Sequence, residues 1–253
     1  VEISDFNSSK NLKPLHNETK LFKILTIIGF CLFIAAIIAL ILVACLRGKK
    51  KVIEKEYIYE EQEQEPLIIP YGNKSDITYV FGHKNPDTDT ICSAITAANL
   101  ESELGNQNQV IPCRLGEINR ETKYVLEKFG VEEPLLLTNV SKAKNVILVD
   151  HNIQTQTIDN LDEKPILKVY DHHGFDFTYS NPLQINAKPI GSTTMVIYEI
   201  YKQNNIKISK KIAGLLLSGL ISDTIILHST TTTDYDKKYA EELAKIAEVD
   251  IEK

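Results

Sequence analysis

Between Gly82 and Thr90 the chain places one imidazole and two carboxylates within seven residues: His83, Asp87 and Asp89. The run follows a short apolar stretch, Ile77–Phe81, that reads as a buried strand, and precedes a helical pattern from about Thr90 to Leu104. Asp150-His151 and Asp171-His172-His173 come later, each again just after an apolar strand-like run. A further carboxylate, Asp223, closes the helical run Ile212–Ile221. Open α/β sheets place their ligand sites at the carboxyl edge of the strands, where these residues would gather. Carboxylates converging there repel one another unless divalent cations offset their charge. Mixed carboxylate and imidazole donors suit Mn²⁺, Co²⁺ or Fe²⁺, with Zn²⁺ also possible. Two such ions sharing a carboxylate and a water can turn that water into hydroxide near neutral pH for in-line attack on phosphorus.

Each piece taken alone has a plainer reading. Asp89 or Thr90 would serve as a helix cap. Asp223 could be an ordinary helix-end residue, although the helix dipole disfavours a carboxylate there without a nearby cation. Two adjacent imidazoles at a strand end have no comparable structural use.

The elements that must position these residues are legible from about Ser75 onward. Strands are expected at Ile77–Phe81, Gln109–Pro112, Asn145–Val149 and Ile166–Tyr170. Helices are expected from Thr90 to Leu104, from Asn119 as cap through Phe129, at Thr193–Gln203 after Ser192, at Lys210–Ser222 after Ser209, and from Asp234 to Ala247. This alternation predicts an α/β domain with a mostly parallel sheet and helices on both faces.

Upstream, residues 24–46 form an uncharged apolar run bounded by Lys23 and Arg47. At about 1.5 Å per residue it reaches about 34 Å, enough to cross a bilayer core of about 30 Å. A secretory signal peptide is the alternative, and Leu42-Val43-Ala44-Cys45 resembles a lipoprotein cleavage box. We expect one transmembrane helix at 24–46, an N-terminal flank at 1–23, a charged linker at 47–74 and the α/β domain at 75–253. Basic residues at 47–51 favour a cytoplasmic C-terminal portion in a single-pass membrane protein. The net charge of −6 gives no general case for nucleic-acid binding. Cys92 and Cys113 are expected to be buried thiols. The first residue is Val, which leaves the chain either processed or a fragment of a longer reading frame.

Gly82-His83-Lys84-Asn85-Pro86-Asp87-Thr88-Asp89, Val149-Asp150-His151, Asp171-His172-His173 and Ser222-Asp223-Thr224 resemble the four motifs of the DHH phosphoesterase superfamily. Within it they are most similar to the family II, manganese-dependent inorganic pyrophosphatases. Cys113-Arg114-Leu115-Gly116-Glu117, Glu121-Thr122 and Gly191-Ser192-Thr193 agree. The resemblance implies that His83 and Asp87 hold one metal, that Asp89, His172 and Asp223 hold the other, and that Asp150 bridges them. It places His173 beside the substrate phosphate, as hydrogen-bond donor or proton supplier, and makes Asp171 the group that orients an imidazole. His151 stays open between a buried structural histidine and a functional one. The implied activity is hydrolysis of inorganic pyrophosphate to two phosphates by two Mn²⁺ ions with a bridging hydroxide, Co²⁺ being a possible substitute and Mg²⁺ accompanying the substrate. A homodimer is a further implication. Members of that family carry a second, C-terminal domain that supplies cationic side chains to the phosphates; on this reading the chain, ending at Lys253, holds only the first domain. The alternatives are an exopolyphosphatase or nucleotide phosphodiesterase of the same superfamily, or an incomplete, non-catalytic, membrane-tethered metal-binding module.

Overall fold

The structure, a computed structural model, describes residues 76–251. Its centre is a six-stranded, all-parallel sheet in the order β3-β2-β1-β4-β5-β6. The strands are β1 (Ile77–Phe81), β2 (Gln109–Arg114), β3 (Leu135–Leu136), β4 (Asn145–Val149), β5 (Ile166–Asp171) and β6 (Gln184–Ala187). The central strand β4, Asn-Val-Ile-Leu-Val, is buried at every position, which is why its sequence is a continuous apolar run rather than an alternation. Strand order reverses between β1 and β4, so a crevice opens at their carboxyl ends. The first motif follows β1 and Asp150 follows β4, on either side of that crevice.

Among the described residues five α-helices complete the fold: α1 (Thr88–Glu103), α2 (Arg120–Phe129), α3 (Thr193–Gln203), α4 (Lys210–Asp223) and α5 (Asp234–Ala247). Asn119 caps α2 by accepting from Thr122 N at 2.8 Å, and Gly130 ends it in the left-handed conformation (φ 61°) that glycine adopts without steric cost. Ser209 caps α4, as expected. Helix α1 is buried nearly all round; Ala94, Ala97 and Ala98 let it approach the sheet closely while α4 covers its other side.

The two faces of the sheet are covered differently. Val80, Ile147, Val149 and Tyr170 point to one face and meet residues of α1, α3, α4 and α5. Tyr79, Phe81, Val146 and Leu148 point to the other and meet Leu137, Val140, Ile158 and Leu161. Those partners lie in loops and in a 3-10 turn, Leu161–Glu163. The expectation of helices on both faces therefore holds on one face only. The β4–β5 and β5–β6 connections, punctuated by Pro165, Gly174 and Pro182, carry no α-helix.

The expectation of single-pass membrane localisation is corrected. Among the described residues no helix is long and apolar enough to cross a membrane. The longest, α1 at 16 residues, reaches only about 24 Å, short of the roughly 30 Å core. The run 24–46 and the linker 47–74 lie outside the described residues. Cys92 and Cys113 are free and buried as expected, and burial pushes both thiols up.

Candidate metal centre

Strand β1 ends at Phe81, and Gly82 passes close to α1, where an added Cβ would lie 2.3 Å from Thr90 Cγ2, before the chain bends at Lys84 and Asn85. His83, directly after Gly82, lies at the crevice. Asp87, rather than Asp89 or Thr90, caps α1: its Oδ1 accepts from Thr90 N at 2.9 Å. Its other oxygen lies 3.5 Å from His83 Nε2. Asp89 sits in the first helical turn, wholly buried, and reaches across to the start of α3. There it accepts from Thr193 N (2.7 Å), Thr194 N (3.1 Å) and Thr194 Oγ1 (2.8 Å). Ser192 occupies the N-cap position of α3 as expected but makes no side-chain cap bond; a carboxylate from another helix takes that place.

Asp150 follows β4 in the left-handed region (φ 58°), a conformation that aspartate tolerates better than most residues. Its two oxygens accept separately, Oδ2 from Thr90 Oγ1 (2.5 Å) and Oδ1 from Thr193 Oγ1 (3.0 Å). Oδ2 also lies 3.5 Å from His83 Nε2, and Oδ1 lies 3.6 Å from His172 Nε2. Asp223, the last residue of α4, brings Oδ2 to 3.3 Å from the same His172 atom. His172 Nδ1 donates to the Ile190 carbonyl at 3.0 Å. That bond leaves Nε2 as the atom facing the carboxylates, buried and without a hydrogen-bond partner.

The six expected metal ligands and His173 therefore meet in one place, in overlapping groups that could each hold a metal: His83, Asp87 and Asp150; Asp89, Asp150, His172 and Asp223; and Asp150, His172 and His173. Separations of 3.3–3.6 Å are long for hydrogen bonds. Two donors each about 2.1 Å from a common ion would lie about 3–3.5 Å apart, so the spacing fits divalent metal ligation. The electrostatics agree. Burial pulls the His83 and His172 imidazoles down, yet the surrounding carboxylates outweigh it and hold both up at about 10. Burial pushes the Asp89 carboxyl well up, and Asp150 and Asp223 add to it; Asp223 is raised chiefly by burial as well. Asp87 is opposed by burial but pulled down by His83. The cluster thus draws in protons where cations of higher charge could sit.

His173 stands at the mouth, half exposed, with Nδ1 2.9 Å from Asp171 Oδ1 and 3.8 Å from Asp150 Oδ1. The imidazole oriented by Asp171 is thus His173. Asn152 holds Asp171 in turn, donating to its Oδ2 at 2.7 Å and to Gly174 O at 3.0 Å. His151 is buried; Nδ1 lies 2.9 Å from Val149 O, and burial lowers its pKa. It helps line a cavity of about 360 Å³ with Lys84, Asn85, Gln156 and His173. Sequence reading did not single out Asn152 or Thr194, and it considered Thr90 only as a helix cap, not as a partner of Asp150. The contacts of Thr193 and Thr194 with Asp89 join residues 104 and 105 positions apart, which no local pattern reveals.

A family profile described as "DHH family, N-terminal domain" matches residues 77–220. The chain is 48% identical over 175 residues to the manganese-dependent inorganic pyrophosphatase of Bacillus subtilis, covering 68% of this chain and 56% of that protein. It is 48% identical over 176 residues to a probable manganese-dependent inorganic pyrophosphatase of Oceanobacillus iheyensis, covering 69% and 56%. Among solved structures it is similar to one from Methanococcus jannaschii assigned to the family II inorganic pyrophosphatases. That match has a TM-score of 0.64 and 44% identity, covering 69% of this chain and 58% of the other. The chain thus spans a little over half the length of these relatives. With the profile matched over more than half of its residues, the chain belongs to the DHH family.

Proposed function

We propose that this chain hydrolyses inorganic pyrophosphate to two phosphates with manganese as its resident metal. The observation that carries the reading is the position of Asp150, whose two oxygens face His83 on one side and His172 on the other, at 3.5 and 3.6 Å. The names of relatives at 48% identity support the substrate and the metal. On this reading His83 and Asp87 would hold one ion, Asp89, His172 and Asp223 the second, and Asp150 would contribute to both. Two divalent ions bound there would offset the carboxylate and phosphate charge and acidify water enough to supply hydroxide near neutral pH.

The protein's own part is placement and proton supply. Thr90 and Thr193 each hold one oxygen of Asp150, which fixes how it divides between the two donor groups. The amides opening α3 clamp Asp89 and favour its ionised form, opposing the burial that raises its pKa. Asp171 binds His173 through Nδ1 and raises its pKa. Nε2 is then the atom left to donate, so His173 serves as an imidazolium hydrogen-bond donor to a phosphate oxygen and as proton source for the departing phosphate. The test is phosphate release from pyrophosphate by the full chain with Mn²⁺ or Co²⁺, with bound metal counted. Release abolished by a chelator, and faster than release from polyphosphate, is expected. Two bound metals without release would overturn the reading.

A further inference from the structure

The loop between β6 and α3, together with the first two residues of α3, touches most of the second donor group. Its Ile190 carbonyl sets the His172 ring at 3.0 Å. Immediately after it, Thr193 N and Thr194 N grip Asp89, and Thr193 Oγ1 grips Asp150. Among the described hydrogen bonds, none joins this loop to His83 or Asp87.

The middle of the loop is held from outside the cluster. Gly191 N donates to both oxygens of Asp236 at 3.1 Å. Asp236 belongs to the first turn of α5 and is wholly buried. Its Oδ2 also accepts from Thr233 N (2.6 Å) and Thr233 Oγ1 (2.7 Å), completing a capping box. Residue 191 must be glycine for this approach, because a Cβ there would lie 2.8 Å from Asp236 Oδ2 and 2.6 Å from Thr224 Cγ2. Capping α5 requires only the Thr233 contacts, which an exposed carboxylate could make without the cost of burial. The burial of Asp236 is matched instead to the loop amide, and bonds to a charged acceptor are the stronger kind.

We propose that Asp236 is a positioning residue for the second donor group: through the Gly191 amide it fixes the loop that sets His172 and Asp89. The inference rests on the metal reading above. It assigns a carboxylate, 13 residues beyond Asp223 and outside every donor group, chiefly to the affinity of the second ion, the shared Asp150 being the loop's one link to the first.

The test is Mn²⁺ titration of the full chain by calorimetry, with electron paramagnetic resonance of the bound ions. Wild type should bind two Mn²⁺ and show a spin-coupled pair. Asp236→Asn should weaken one of them by about 10–100-fold, the range for losing a residue that orients a ligand. The other ion should stay within about threefold, and the coupled signal should give way to that of an isolated ion at intermediate Mn²⁺. Thr233→Ala, which weakens the cap but leaves the Gly191 contact, should lower thermal stability and keep both affinities. If Asp236→Asn does not fold, Asp236→Glu, which displaces the carboxylate, should show the same selective loss. Unchanged binding of both ions in whichever Asp236 variant folds would overturn the inference. So would equal weakening of both ions, or a Thr233→Ala loss as large as that of Asp236→Asn. Wild type binding no Mn²⁺ pair would sink the metal reading itself, a result visible before any variant is made.

Discussion

Helix α1 carries a buried carboxylate at each end, and the two are handled in opposite ways. Glu101, in the last turn, accepts from Lys168 Nζ at 2.8 and 3.0 Å, from the Tyr170 hydroxyl, and from Asn106 Nδ2 at 3.4 Å. Its counter-charge is built into strand β5, as a carboxylate at a helix C-terminus requires. Asp89, in the first turn, has the favourable end of the dipole and three donors from α3, yet its charged surroundings are Asp150, Asp223 and Asp87, relieved only by His172. A buried acid that brings its own cation is part of the structure. A set of buried acids that lacks one is shaped for a ligand the chain does not encode.

The sharpest way to break this contrast is Asp150→Asn. Asparagine tolerates the left-handed backbone at this position, so the turn survives. Phosphate release should fall by about 1,000-fold or more, as expected when the group shared by both ions loses its charge. At least one Mn²⁺ should be lost, while the metal-free protein should unfold within about 1–2 kcal/mol of wild type. Full activity with both metals bound would end the bridging assignment. Glu101→Ala should do the reverse. It leaves the buried Tyr170 hydroxyl and the part-buried Lys168 without their acceptor and should cost about 1–3 kcal/mol in urea unfolding, with Mn²⁺ stoichiometry unchanged.

The pH dependence of stability separates the two clusters again. In the metal-free protein the carboxylates outweigh burial and hold His83 and His172 at about 10, against about 6.5 in the unfolded chain. The folded state keeps those protons where the unfolded state releases them. This contribution is fully present below about pH 6.5 and is lost as pH rises through about 10. Asp89 and Asp223, also raised, act with the same sign at lower pH. Metal-free protein should therefore melt lower as pH rises from 6.5 to 10, and saturating Mn²⁺ should flatten the slope. A metal-free melting temperature that climbs over that range would show that the site does not hold protons in place of cations.

Much of the site cluster was legible because each of its residues sits at an element boundary. The strands ending at Phe81 and Val149 and the helix ending at Asp223 can be read from apolar runs, and the carboxyl-edge rule then gathers the donors. The resemblance added how they divide. The Glu101 cluster was not legible: Lys168 lies mid-strand, 67 residues away, and nothing local couples it to a glutamate in a helix. The same holds for Asp89 capping α3 in place of Ser192. Strands β3 and β6 were missed because two and four residues, mostly exposed, carry no readable alternation. The helix-free second face of the sheet is covered by connections that fold into loops, which β/α alternation does not reveal.

A smaller perturbation tests how tightly Asp89 is packed. A Cβ at Gly219 on α4 would lie 2.5 Å from Asp89 Oδ1 and 2.7 Å from Thr194 Oγ1. Gly219→Ala should cost about 1–3 kcal/mol through overpacking. It should also weaken Mn²⁺ binding, because the carboxylate displaced belongs to a candidate ligand; loss of stability with Mn²⁺ affinity intact would mean that Asp89 can move without consequence.

Tyr170→Phe should have the smallest effect and the most specific one. The hydroxyl donates to Glu101; its own burial, and then the charge of Glu101, push the phenol pKa up, so the tyrosine stays a neutral donor across the whole working range. Removing it leaves Glu101 with both Lys168 contacts. The cost should be about 1 kcal/mol, that of one hydrogen bond whose acceptor keeps other partners. Tyr170 also points into the helix-covered core, and phenylalanine keeps that packing. Mn²⁺ affinity and phosphate release should not change. A measurable loss of either would mean that the two ends of α1 are coupled along the helix, and that the division between a structural acid and a ligand acid is not local.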